Sequence, residues 1–561
     1  MPPFSLSRLG SWCLQRPKSK EQAGTPIYER PLGLLEQAFY WDSVFKRVAD
    51  TLQHVEVGVD PFKIKDAFGY TNVSRTWVEL KQQFPLLGAR IEERDEDSIY
   101  FVVEAENLHR CLPGEIIFLN IASAQEAQDI MESVMIEDKA LTNNFLARIY
   151  ILKRTDTENV FHVFIHVAHS ITDGMSNITI MKTFFNEMCR QNAPPLSWDL
   201  TRQLALSEAS ENLYPQLKMS IAKQRWRLAV AKIISANRMD RFKAGGHTIP
   251  RRVTEQTEFT PAASRTMNVI CSPETTRNVL SNCRKNNITF GNAYPVIAQI
   301  ATARLLLKRY LRGEISEDEW DFRKRQPMSS VGPLNLRPFL DQDWIKAGGN
   351  NHVCVAIGFF FFQLPMLPLG SASFLRPGAT VPSYDSMIPK YRFLHRSRLI
   401  QDQARNFHNH PLFIELGSIP RPMRVALHKQ VGLQWRKEKH PPKHLSVRPL
   451  SPTEEAERYG VFNNGGSSMG NVDLLLPRQY PVGYDKESNR PSLWFINDTS
   501  MLHCRPTELY LGASTSQEKL RLLVYWDNNV FDEAVVTEWL NEVKNAIEFY
   551  LGQDEVPQSK L

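Results

Sequence analysis

A histidine can accept a proton near neutral pH, bind a metal or fill a core. The stretch FHVFIHVAHSITDG, Phe161 to Gly174, holds three of them and ends on an aspartate and a glycine. Their phase separates the uses. Valine, isoleucine and phenylalanine make Val160 to Val167 a strand, whose successive side chains point to opposite faces. His162 and His166 therefore share a face with Phe164 and Ala168, while Phe161, Val163, Ile165, Val167 and His169 take the other. His166 and His169 cannot share an ion on a continued strand. His162 and His166 have no evident third ligand, so no metal site is expected. Alternation stops at His169. Ser170 to Gly174 reads as a tight turn, and from Met175 a helical stripe runs through Ile178, Met181, Phe185 and Met188. His169 thus stands at the lip of a strand–turn–helix unit, where a side chain reaches a cleft while the sheet holds its backbone. An imidazole so placed suits general-base chemistry. Read from residues alone, two structural alternatives stay open. Asp173 can simply N-cap the following helix, with Gly174 at an unusual backbone angle, and His169 can be a buried histidine bonded to a carbonyl.

Further elements must position this unit. Val55, Val57 and Val59 alternate in HVEVGV; Val73, Trp77, Leu80 and Phe84 share a helical face; DSIYFVVE and LARIYILKR are further strands. This β–α–β–β order fits a sheet carrying helices. Residues 201–243 read as helical and 244–260 as a loop between lobes. MNVICS opens the second half, followed by a helix from Thr275 and another in NNITFGNAYPVIAQIATARLLLKRYL, where Pro295 is tolerable only in the first turn. VCVAIGFFFFQL reads as a buried strand. At the C-terminus, strand KLRLLVYWD precedes a helix capped by Asp532, with Val536, Trp539, Leu540, Val543, Ile547 and Tyr550 inward and Gly552 at its end.

Composition bounds the class. A chain of 561 residues, 42% hydrophobic and 23% charged, is folded and exceeds what one core usually organises, so two lobes with a cleft between them are expected. The net charge of +6 is small and scattered, which disfavours nucleic acid. The basic run His428 to His444 reads as a solvated face. Seven dispersed cysteines without a C-x-x-C pair suit a reducing compartment, hence the cytoplasm. The N-terminus makes a poor signal peptide, and the longest apolar run is broken at Gln363 and Pro365, too short to span a bilayer. G-K-[ST] is absent, so NNGGSSMGNVD, Asn463 to Asp473, is not read as a nucleotide-phosphate loop.

H-x-x-x-D-G at the end of an apolar strand in a chain of this size resembles the acyltransferase superfamily of plant BAHD enzymes, chloramphenicol acetyltransferase and peptide-synthetase condensation domains. Within it, the likeness is to fungal O-acetyltransferases of the trichothecene 15-O-acetyltransferase type. HSITDG, TFGNAYPVIAQIATARLL, GPLNLRPFL, SSMGNVDLLLPRQYP and RPTELYLGASTSQEKLRLLVYWDNNVFD carry the resemblance, from about residue 30 onward. It implies an α/β (α+β) fold of two chloramphenicol-acetyltransferase-like lobes, with mixed sheets, flanking helices and an active-site tunnel between them. The corresponding division is a polar tail over 1–24, an N-terminal lobe over 25–195, a helical crossover over 196–262 and a C-terminal lobe over 263–561.

The resemblance also assigns roles. His169 is the general base that takes the acceptor's proton as it attacks an acyl thioester. Asp173 is structural and turns away to pair with an arginine, best matched by Arg337; Gly174 belongs to the turn. The BAHD element D-F-G-W-G is absent, and NNGGSSMGNVD stands in its region, making Ser467, Ser468 and Asn471 candidates for substrate or oxyanion contacts. Thr289 would lie near the thioester channel. The implied activity is acyl-CoA-dependent O-acyl transfer, foremost O-acetyl transfer, in fungal secondary metabolism. Acetyl-CoA would be a co-substrate rather than a bound cofactor, the partner a small-molecule alcohol, and the chain a monomer. The alternatives are a condensation-type enzyme using a carrier-protein thioester and a non-catalytic, acyltransferase-like binding protein.

Overall fold

β-Branched and aromatic runs become strands in three sheets, seen in a computed structural model that describes residues 11–15, 25–136, 140–191, 194, 197–216, 218–242, 246–458, 460–482 and 491–553. The first six-stranded sheet runs Gln479–Tyr480, Leu493–Leu502, Thr51–Val59, Val160–Val167, Ala147–Arg154, Ile116–Ile121, with only the last pair parallel. The second runs Ile357–Leu364, Met328–Asn335, Asn464–Asn471, Leu509–Ser516, Lys519–Asp527, Ser264–Ile270. There Asn464–Asn471 is parallel to both neighbours. Helices flank each sheet, so the fold class is mixed α/β with two lobes, as the resemblance implies.

Alternation decides what each face buries. Val55, Val57, Val163, Ile165 and Val167 pack with Trp77 and Leu80 of the helix Tyr70–Gln83 and with Met181 and Phe185 of Gly174–Met188. The opposite face, with Leu52, Tyr150 and Phe164, packs on Met131 of Ala124–Ile136. In the second lobe, Val536, Leu540, Val543 and Ile547 of the helix Glu533–Ile547 are fully buried against the helix Phe290–Leu311 and the sheet. Each such aliphatic side chain contributes about 1.5–3 kcal/mol.

Several expectations change. Trp12 is buried and Cys13–Leu14 pairs with Ile27–Pro31, so this part of the supposed tail belongs to a small sheet; residues 1–10 and 16–24 lie outside the described residues. That sheet also takes Ile99–Glu104, which therefore does not join Thr51–Val59. Leu493–Leu502, placed by the sequence in the C-terminal lobe, returns to pair with Thr51–Val59 along its full length. Among the described residues, Ile357–Leu364 is an edge strand, paired only with Met328–Asn335. Pro295 falls one turn further into its helix than expected. The basic run is no mere solvated face. In the helix Arg421–Glu438, His428 Nδ1 lies 2.9 Å from Asp42 and Arg436 lies 2.7 Å from Glu93, which clasps this helix to Leu34–Val44 and to the strand Arg90–Glu93.

Candidate active site

Both ladders that hold the central strand end at Val167, opposite Thr51 and Ala147. Freed from pairing, the chain turns, and the Ile171 amide donates to the Ala168 carbonyl. The His169 backbone N–H donates to Asp50 Oδ1 at 3.2 Å, and its ring stacks on Phe39 with centroids 3.8 Å apart and planes 10° from parallel. His169 Nδ1 lies 2.6 Å from the Thr172 carbonyl oxygen. A carbonyl only accepts, so Nδ1 carries the hydrogen and Nε2 the lone pair. Nε2 has no hydrogen-bond partner among the described residues, and the ring lines the cavity between the lobes. The bond to a carbonyl, one of the two structural alternatives, leaves the lone pair of the other nitrogen on the cavity.

The turn is held from three directions. Thr172 Oγ1 donates to Asn177 Oδ1 at 2.7 Å, and Asn177 Nδ2 donates to Thr51 Oγ1 at 3.0 Å, which fixes the carbonyl under His169. Asp173 both caps and pairs. Oδ1 accepts the Ser176 amide at 2.9 Å; Oδ2 accepts Arg337 Nη1 at 2.9 Å and the Ala356 amide at 2.8 Å. Arg337 Nη2 donates to Ser176 Oγ at 2.8 Å and to the Cys354 carbonyl at 3.1 Å. Asp173 and Arg337, the two residues that the resemblance pairs, are both fully buried. Gly174 differs from expectation. Its φ is not left-handed and a Cβ there would meet open space; it lines the cavity, so its small size leaves room rather than shaping the turn.

Asp50 lay outside the sequence reading. It stands in the link between Leu34–Val44 and Thr51–Val59, where Lys46, Arg47 and Ala49 adopt φ of 55°, 60° and 73°. Such angles cost non-glycine residues roughly 1–3 kcal/mol each and persist only where the surroundings enforce them. Here the Ala49 amide donates to the His503 carbonyl at 2.6 Å, and the His503 amide donates to the Asp50 carbonyl at 2.9 Å. Burial raises the Asp50 carboxyl to about 6, against the opposing pull of Arg47 and the His169 amide. No local pattern marks this aspartate; only the register of Thr51 opposite Val167 brings it beside His169.

Electrostatics keep His169 neutral. Burial, then the Arg505 guanidinium, lower it to about 4. Arg505 is anchored to Asp42, with Nε 3.1 Å from Oδ2, and lies 5.4 Å from the far ring, Phe39. Burial would raise the Asp173 carboxyl, but Arg337 and the two amides hold it below the usual carboxylate range. His162 belongs to a different site: its Nδ1 bonds His54 Nε2 at 2.8 Å, and burial brings these rings to about 4 and 3. Among the described residues, no group of three His, Cys, Asp or Glu is placed to hold a metal.

The cavity holds about 310 Å³ between the two six-stranded sheets. Phe39, Ile178, Ile357 and Phe359 make one apolar wall; Asn268, Asp498, Thr499, Ser514 and Arg521 bring polar groups. Of the serine candidates, Ser467 lines it, with Oγ 3.0 Å from the Tyr510 hydroxyl. Gly466 makes that approach possible, since a Cβ at its φ of 147° would strike the Leu511 backbone of the parallel strand. The remaining candidates stand elsewhere. Ser468 points the opposite way on the strand, towards Gly291; exposed Asn471 caps a turn through the Asp473 amide at 3.1 Å; exposed Thr289 caps its helix through the Asn292 amide at 3.2 Å.

No family model and no curated protein sequence matches this chain. Solved structures do. TRI3 trichothecene 15-O-acetyltransferase from Fusarium sporotrichioides aligns with a TM-score of 0.68 over 98% of this chain and 100% of that one, at 12% identity. The first condensation domain of the calcium-dependent antibiotic synthetase aligns at 0.55 over 93% and 96%, with 12% identity. The condensation domain of the Monacolin K polyketide synthase MokA aligns at 0.53 over 93% and 97%, with 10% identity. At such identities the likeness is one of fold, shared with acetyltransferase and condensation structures.

Proposed function

We propose that this chain is an acyl-CoA-dependent O-acyltransferase, an O-acetyltransferase of fungal secondary metabolism, that esterifies a small alcohol with His169 as general base. One observation carries the reading: Nδ1–H is bound to the Thr172 carbonyl, which leaves Nε2 without a partner on an interlobe cavity. The acceptor hydroxyl gives its proton to Nε2 as its oxygen attacks the thioester carbonyl. The tetrahedral intermediate collapses, the C–S bond breaks, and the imidazolium returns the proton to the thiolate, so no covalent enzyme intermediate forms. A base lowered to about 4 is neutral at physiological pH and releases its proton readily in the second step.

An oxyanion needs donors already in place. Ser467 and Tyr510 have two hydroxyl hydrogens, and their mutual bond uses one, so the pair has one left to donate into the cavity. Asp173, Gly174 and Arg337 take no part in proton transfer: the ion pair holds the turn and the glycine leaves room. The test is purified protein with acetyl-CoA and a panel of small alcohols, followed by free thiol. Acceptor-dependent thiol release that disappears in His169→Ala is the expected result. Release that is equal in wild type and His169→Ala, or tight alcohol binding without release from any acyl-CoA, overturns the reading.

A further inference from the structure

The helix Ile221–Phe242 stands out on the surface. Ile221 is 68% exposed, Trp226 64%, Leu228 42%, Ile233 63% and Met239 41%, a concentration of large apolar side chains in water that packing does not explain. Its anchorage uses a different face. Ala231 is buried, and with Val230 and Ile234 it packs on Leu412, Leu416 and Ile419, while Arg227 Nε reaches Glu415 at 2.5 Å. At 3.6 residues per turn, Ala222, Trp226, Ala229, Ile233 and Ala236 line up as a separate row facing outward, all of them exposed.

Charge decides what this row meets. Arg225 and Lys232 run along one side of it and Lys223 and Arg241 along the other, all exposed; Asp240, the one exposed acid on the helix, ends the row one turn past Ala236. A second copy of the same row would bring like charges together. A negatively charged surface with an apolar layer beneath it matches both features, and an amphipathic helix with basic flanks and a tryptophan meets such a surface in the plane of a membrane. We propose that Ile221–Phe242 is a peripheral docking surface for anionic phospholipid, with Trp226 and Ile233 entering the acyl boundary and the four cations meeting headgroups. No helix among the described residues is long and apolar enough to cross a membrane, so contact by this helix is in the plane. The helix that anchors Ile221–Phe242 is also joined to an element at the cavity. The supporting helix Phe413–Ser418 leads through Pro420 into Arg421–Glu438, whose Arg424 guanidinium lies 4.5 Å from the Phe359 ring and 5.3 Å from Phe39, two of the cavity's walls.

The test is co-sedimentation of the full chain with vesicles of phosphatidylcholine alone and of phosphatidylcholine mixed with phosphatidylserine, at low and raised salt. It reads binding without turnover, so its result is independent of the proposed acyl transfer. Wild type should bind the mixed vesicles, weakly bind the neutral ones and lose binding with salt. Arg225→Gln/Lys232→Gln should weaken partition roughly 30-fold. Trp226→Glu/Ile233→Glu should abolish it, both variants keeping the wild-type circular dichroism and melting temperature. Wild type that stays in the supernatant with mixed vesicles at low salt overturns the proposal, as do folded variants that bind like wild type. So does self-association through the row, or capture by a soluble acidic polypeptide, without vesicle binding.

Discussion

At the residue scale, the chemistry rests on which nitrogen of His169 keeps its lone pair. The Thr172 carbonyl answers that, and Arg505 and burial place the ring near 4. Activity should therefore persist as pH falls through 6.5 and decline only near 4, where the ring becomes charged, measured as kcat/KM against pH. Replacing Arg505 with glutamine should move that limb upward by removing the repelling charge. His169→Ala should fold normally and lose about 10²- to 10⁴-fold in kcat. Gly174→Ala meets open space, so its melting temperature should match wild type while KM for the acceptor or the donor rises because the methyl narrows the cavity. The histidine was legible because strand phase isolates it from His162 and His166. The part played by Gly174 was not, because a glycine letter does not say whether it serves a backbone angle or an open space.

At the scale of elements, the strand–turn–helix unit works only if the turn keeps its shape. Asp173→Ala leaves the buried Arg337 unpaired and three donors unmet, which costs about 3–5 kcal/mol; urea denaturation should show that loss together with lost activity. A stable, fully active Asp173→Ala protein would end its structural role. Asp50 acts through the link that enters Thr51–Val59. Asp50→Ala should lower kcat by about 10²-fold with little change in KM, since a displaced His169 still binds substrate but meets it badly. Asp50→Asn, which keeps an oxygen acceptor for the His169 amide, should recover part of the rate. The Asp173 pair was approachable from the sequence because the resemblance drawn from its motifs names a residue for each partner. Asp50 had no such signal: it precedes a strand whose register, Thr51 opposite Val167, alone brings it beside His169.

At the scale of the molecule, the buried histidines give stability a pH dependence. In the folded chain His54, His162, His166 and His169 lie near 3, 4, 3 and 4, against about 6.5 when unfolded. As pH falls from 6.5 towards 4 the unfolded chain binds protons that the folded chain refuses, so stability falls across that window. Asp50 opposes this, since its raised carboxyl is relieved by protonation below about 6. His247 and His352, lowered to about 3, join the histidines, while burial raises Glu36, Glu258, Glu508 and Asp527 as it does Asp50. The unfolded rings take up their protons around 6.5 and the unfolded carboxyls only near 4, so the melting temperature should be lower at pH 5 than at pH 7. The lobes also depend on each other. Leu493–Leu502 crosses into the first sheet, and Arg337 reaches Asp173 from the second lobe's side of the cavity, so the site should not survive separation of the two halves.

The sequence alone determined what periodicity and capping encode within a few turns of chain: the strand ending just before His169, the helix after Asp173, and the C-terminal strand and helix with its Asp532 cap. Those features follow from neighbours in sequence, whose spacing sets the face each side chain takes. Only the tertiary structure decided which distant groups complete the site. Asp50 meets His169, Ser467 faces the cavity while Ser468 turns away, and Thr289 and Asn471 prove to be caps. It also brought the basic helix Arg421–Glu438 onto Leu34–Val44 and left Ile221–Phe242 with its apolar row in water. Strand register, sheet order and the crossing of one strand between lobes are long-range pairings, and a one-residue shift in any of them would change every contact without altering the local pattern.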